Sequence, residues 1–356
     1  MKSVVIKLFI LLIMGIFSAC STTDKPTQSL QQSTSVPSEQ TSILEPKPST
    51  PTQLASPPEA TSEKLPAIGT PTSASPDEVN SNQPEGEVSF QDKLAESDQV
   101  VFTTQKLSEL NNQVYQAWLG AEDGSAISAG VLTLQPDGSA SVEYTSPDGR
   151  PVLVNFTHFF VTREDTEQKI PGPQVVLSGE LQPDLQQIAR NLFVTNQGEP
   201  VTPRNKPFVQ GMKEQFSLAL QHIDNAINAQ AINASAETRQ HLEHVINILE
   251  GAQGVRFRDY TGDQIAQNPG DGFGVVQYIQ QIAVFLHDPR LDDAANEVVN
   301  AIVALENSTI AILEQQNGAP ALSEVKSQAV ELDNNLMKPF YELVQQVFTI
   351  KLTPTP

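Results

Sequence analysis

The chain is short of cysteine and of positive charge, and each shortage excludes something. Cys20 is the only cysteine among 356 residues, so no disulfide forms within the chain and stability has to come from packed cores. Twenty-one Lys and Arg stand against 42 Asp and Glu, a formal net charge of -21. Nucleic acid and anionic bilayers are recognised by cationic faces, so nucleic acid is not expected as a partner. Catalytic signatures are missing as well. There is no Gly-x-Ser-x-Gly elbow, no phosphate-binding glycine loop and no His-Glu-x-x-His, and the chain is not expected to be an enzyme.

What the N-terminus does contain is a sorting signal. Lys2 and Lys7 give a positive start, Leu8 to Phe17 an apolar run, and Phe17-Ser18-Ala19-Cys20 resembles a bacterial lipobox. The resemblance implies that residues 1–20 are a lipoprotein signal peptide and that Cys20 becomes the lipidated N-terminus. The apolar run is too short to cross a hydrocarbon core of roughly 30 Å. Localisation is therefore expected at the cell membrane or an outer membrane, lipid-anchored and facing the extracytoplasmic side. Residues 21–96 begin with a Ser-, Thr-, Pro- and Gln-rich stretch without sustained apolar period and read as a disordered tether.

Beyond the tether the expected fold is multidomain α+β: a small antiparallel β-sandwich over 97–203, an up-and-down helical bundle over 204–350, and a frayed tail at 351–356. Val114 to Leu119 alternates, and Trp118 within it reads as core. Ala129 to Leu134, the turn Pro136-Asp137-Gly138 and Ser141 to Tyr144 read as a hairpin; Val152 to Val154, Phe159 to Thr162 and Val175 to Gly179 read as further strands. From Phe208 the apolar period becomes helical, with stripes through Met212, Phe216 and Ile223, through Leu242 and Val245, and through Val275, Ile279 and Ile282. Pro289 separates a fourth segment from the third, and 322–348 supplies a fifth.

Tyr115-Gln116-Ala117-Trp118-Leu119, Ser128-Ala129-Gly130-Val131, Val161-Thr162-Arg163-Glu164 and Pro171-Gly172-Pro173, followed by Val176-Leu177-Ser178-Gly179, carry a resemblance to a known module. In this order and spacing they are similar to the extracytoplasmic C-terminal domain of the anti-sigma-K factor family. The resemblance implies a β-sandwich outside the cytoplasmic membrane. That family reaches its sigma factor through a transmembrane helix and a cytoplasmic segment, neither of which is expected here, so no direct sigma-factor contact is expected either. A binding or sensing role, with another envelope protein as a candidate partner, follows.

Candidate chemistry lies among the helices. His241 and His244 are three apart and share a helix face, with Glu237 one turn earlier. With His222 on the preceding helix they could hold a transition metal or offer an axial haem ligand, or they could simply form the polar edge of an apolar stripe. Asp259, Asp263 and Asp271 place carboxylates along one loop. Calcium is an alternative there, although Gln264 stands where a calcium-binding helix–loop–helix needs Gly. The plainer reading is a set of turn caps.

Overall fold

In the computed structural model, which describes residues 83–355, alternating patterns become nine strands: β1 Glu85–Gln91, β2 Gln99–Gln105, β3 Val114–Gly120, β4 Ala126–Val131, β5 Thr133–Leu134, β6 Ala140–Thr145, β7 His158–Glu164, β8 Val175–Glu180 and β9 Ile350–Pro354. The helices are α1 Val152–Asn155, α2 Pro183–Phe193, α3 Phe208–Ala231, α4 Ser235–Glu250, α5 Val275–Leu286, α6 Pro289–Leu313, α7 Leu322–Leu332 and α8 Lys338–Val347. The signal peptide, Cys20 and the tether up to residue 82 lie outside the described residues. No described helix is long and apolar enough to cross a membrane.

The strands form one antiparallel sheet in the order β4-β3-β7-β8-β9-β1-β2-β6-β5. Its two outermost strands, β4 and β5, are consecutive in the chain and separated by Leu132 alone. At Leu132 the backbone N–H still donates to Tyr115 O of β3 at 2.8 Å, while Thr133 already pairs with Ser141 of β6. The same run of chain thus serves both edges and nearly closes the sheet. Gly130 makes the crossing: its φ of +125° is closed to most side chains, and a Cβ there would meet Val142 Cγ2 at 2.9 Å. The expected hairpin about Asp137-Gly138 is present as β5 and β6. Trp118 is fully buried, stacks on Phe160 with ring centroids 6.4 Å apart and donates from Nε1 to Thr162 Oγ1 at 2.8 Å.

Four expectations need correction. The small sandwich is instead a nine-stranded, nearly closed sheet. β1 lies inside the segment read as tether: Val88 and Phe90 point into the core, and β1 pairs with β2 over its whole length. The tail read as frayed is β9, inserted between β1 and β8 with Ile350 and Leu352 buried. Val152-Leu153-Val154 forms the single helical turn α1 rather than a strand, with all three side chains buried.

The helical stripes appear where the period placed them. Pro289 occupies the first turn of α6, capped by the Asp288 carboxylate, which accepts from Arg290 N. Pro207 immediately precedes α3. Helix α3 packs against α4, α5 and α7, and α6 against α4, α5, α7 and α8. One buried apolar cluster runs from strand residues such as Phe102, Phe159 and Leu177 through Phe208 and Ile279 to Phe348. It ties sheet and helices together.

Candidate metal centre

Helices α3 and α4 are joined by residues 232–234, which sets them side by side. His222 lies on the face of α3 that also buries Ala219, Ile223 and Ala226, and His241 and His244 lie on the facing side of α4. The three histidines each offer a ligand nitrogen, and these nitrogens lie within 4.8 Å of one another. His222 Nδ1 is 3.0 Å from His241 Nδ1 and 3.3 Å from His244 Nδ1. Two imidazole nitrogens bound at 2.0–2.1 Å to one tetrahedral ion stand roughly 3.3–3.4 Å apart. Two of the three separations are close to that value, and the third pair lies within 4.8 Å.

Protons fill this arrangement only by sharing. His244 Nε2 faces Gln267 Oε1 at 3.1 Å, an acceptor, so that nitrogen carries the hydrogen and the neutral ring leaves Nδ1 bare. Gln267 is oriented by its own partners, since its Oε1 also accepts from Gln240 Nε2 at 3.0 Å and its Nε2 donates to Asp263 Oδ2 at 3.3 Å. His222 Nδ1 then has two nitrogen neighbours, and a ring N–H points along one direction only. In the neutral state the two contacts are met either by one His222 N–H shared between both neighbours or by a single N–H with the other pair left lone pair to lone pair. Adding protons is opposed: burial, then the neighbouring His244 and His241, push His222 down to about 4. Burial and His244 also lower His241, against the opposing charge of Glu237. His222 and His241 are thereby kept neutral, the state in which imidazole binds metals.

A chain strap over 251–274 returns across α4. Buried Glu243 accepts from Tyr260 N, Thr261 N and Gln267 N at 2.8–2.9 Å. Asn247 donates to Arg258 O and Gln267 O and accepts from Arg258 N. Gly251 starts the strap with φ +74°, where a Cβ would strike Phe273 O at 2.1 Å. The strap therefore carries Gln267 to the histidines as part of a fixed hydrogen-bonded layer.

The loop aspartates do not join the histidines. Asp259 accepts from Gly262 N and Gln264 N at 2.6 and 2.7 Å, Asp263 from Ile265 N at 2.9 Å, and Asp271 from Phe273 N and Tyr278 OH at 3.0 and 2.8 Å. Hydrogen bonds led by that from Gly262 N–H hold the Asp259 carboxyl below its usual range. These carboxylates cap separate turns, as short acidic side chains do, and do not converge as a calcium site. Glu237 is exposed and stands outside the histidine cluster. The haem alternative also fails on geometry. The three imidazoles crowd each other with centroids 4.7–6.0 Å apart, so none stands alone as an axial ligand over a porphyrin-sized space.

Sequence reasoning missed Glu243, Asn247, Gln267 and a second buried carboxyl, Glu306. The signal for the first two was their four-residue spacing within a helix buried continuously from Leu242 to Glu250. No family model matches the chain, and no match was found among curated proteins or solved structures.

Proposed function

We propose that this protein is a lipid-anchored, extracytoplasmic, non-enzymatic binding module whose ligand is a first-row transition-metal ion held by His222, His241 and His244. The observation that carries the reading is the approach of three ring nitrogens at 3.0 and 3.3 Å, with His244 Nε2 held by Gln267. Three nitrogen donors suit Zn(II), Co(II), Ni(II) or Cu(II) rather than Ca(II) or Mg(II), which take oxygen. In this reading α3 to α8 act as an up-and-down bundle that presents the site, the lipidated Cys20 holds the chain to the membrane, and the tether spaces the folded part from it. The likeness of the β region to the anti-sigma-K module supports placing it outside the cytoplasm, with another envelope protein as partner.

The test is metal uptake by the solubilised full-length chain, by calorimetry and by elemental analysis after dialysis. One Zn(II) or Co(II) per chain is expected, lost in His222→Ala and in His241→Ala. No uptake, or uptake indifferent to both substitutions, refutes the site. The anchor is tested separately by fatty-acid labelling, where a Cys20→Ala chain that still takes up label would refute it.

A further inference from the structure

We infer that Glu237 is the fourth ligand of the metal-loaded site, rotating from solvent to close the shell around an ion already held by His222, His241 and His244. This rests on the histidine reading above and adds the residue that completes it. Glu237, His241 and His244 are spaced four and three apart along α4, so their side chains lie above one another on one helix face. The Glu237 side chain is exposed, in the first turn of α4, and among the described residues it enters no ion pair or side-chain hydrogen bond. It is thus free to turn without breaking a contact.

The other nearby acids are not free. Glu243 holds three strap amides, and Asp263 holds Ile265 N and the Gln267 amide. Charge makes the same demand. Three neutral imidazoles leave a bound divalent ion with its full charge between two mostly buried rings, and a carboxylate halves that charge while supplying an oxygen donor of ordinary zinc chemistry. His241 is the least buried of the three rings, so the cluster is most open to solvent at the ring one helical turn from Glu237.

Co(II) is the probe, added to the solubilised full-length chain and to Glu237→Gln, with the visible d–d spectrum recorded before and after addition of azide. We expect Co(II) affinity to fall by about 10–100-fold in Glu237→Gln, as when a supporting metal partner is lost. The mutant spectrum should shift with azide, which takes the vacated position, while the wild-type spectrum stays unchanged. Equal affinity and equal azide response in both chains would overturn the assignment while leaving the histidine site standing. Weaker binding without a new azide response would overturn it too, because Glu237 would then act by charge alone. A wild-type chain that gives no histidine-dependent Co(II) spectrum would instead overturn the site itself.

Discussion

Glu306 on α6 is fully buried, and neither of its carboxyl oxygens has a hydrogen-bonding partner among the described residues. The nearest cation, Arg256 Nη1, is 3.6 Å away and lies closer to Glu250, at 3.2 Å. Burial first, and the Glu250 carboxylate second, push Glu306 up to about 9 against the weaker pull of Arg256. The folded protein therefore keeps a proton that the unfolded chain, with an ordinary carboxyl near 4.5, has given up. Between those values the folded state binds more protons, so stability falls as pH rises, by about 1.4 kcal/mol per pH unit. His222 works in the opposite sense: its folded value near 4 lies below 6.5, so stability gained from it rises with pH and is complete by about 6.5. The two oppose each other below pH 6.5, and above it the Glu306 slope stands alone of the pair. From pH 6.5 to 8.5 the wild type should lose about 2.7 kcal/mol relative to Glu306→Gln, which keeps the shape and cannot ionise. Urea melts of both chains at pH 6.5, 7.5 and 8.5 measure the difference directly. Parallel pH profiles would mean that Glu306 is ionised or solvated in the folded protein, and would refute the reasoning.

Gln267→Ala removes the acceptor that holds His244 Nε2 but leaves the backbone groups that fix the strap, so metal affinity should fall about 10–100-fold with little change in melting temperature; unchanged affinity by chelator competition would count against the site geometry. Glu243→Ala strips three backbone N–H groups of their acceptor and should destabilise the chain by about 3 kcal/mol or more, with new protease cleavage between residues 251 and 274 as the marker. Truncation after Thr349 removes buried Ile350 and Leu352 and should lower stability by about 3–6 kcal/mol in denaturant melts; a chain that melts like the wild type would show that β9 is dispensable. With His222 and His241 held below their usual range, lowering pH from 7 to 5.5 should weaken Zn(II) binding well short of the roughly thousandfold loss expected of three ordinary imidazoles, and a full loss would refute the neutral cluster.

Local pattern made the helices legible and hid two strands. The stripe through Met212, Phe216, Ala219 and Ile223 repeats within α3 itself, so its period could be read without knowing what it packs on. β1 and β9 carry only short alternations, Val88 with Phe90 and Ile350 with Leu352, the first in polar and acidic surroundings and the second among Thr and Pro. They are stabilised by each other across the register Glu87 to Lys351, a contact between the two ends of the described chain that no local window contains. Val152-Leu153-Val154 misled for the opposite reason: three consecutive apolar side chains are as compatible with a turn buried all round as with a strand. For the histidines, spacing put His241 and His244 on one face, but bringing His222 to them required the pairing of α3 with α4. The aspartates looked like ligands because cation-binding loops and tight turns draw on the same residue, and only the direction of each carboxylate tells the two apart.

That distinction also separates structure from function on α4. From Leu242 to Glu250 every residue of the helix is buried, and its polar members would be costly there without partners. Glu243 has three amide donors, Asn247 is satisfied on both ends of its amide, and Glu250 has Arg256. Each of these groups is fully explained by the strap it holds. His244 is explained only on its Nε2 side, by Gln267. Its Nδ1 instead faces the Nδ1 of His222, which in turn faces that of His241, so a single His222 N–H would have to be shared between both neighbours. A purely structural polar edge would use one ring and one acceptor, as Gln267 already shows at the other nitrogen. Three imidazole nitrogens gathered within 4.8 Å, with His222 and His241 held below their usual range by burial, are the group for which we propose a transition-metal ion as the common partner.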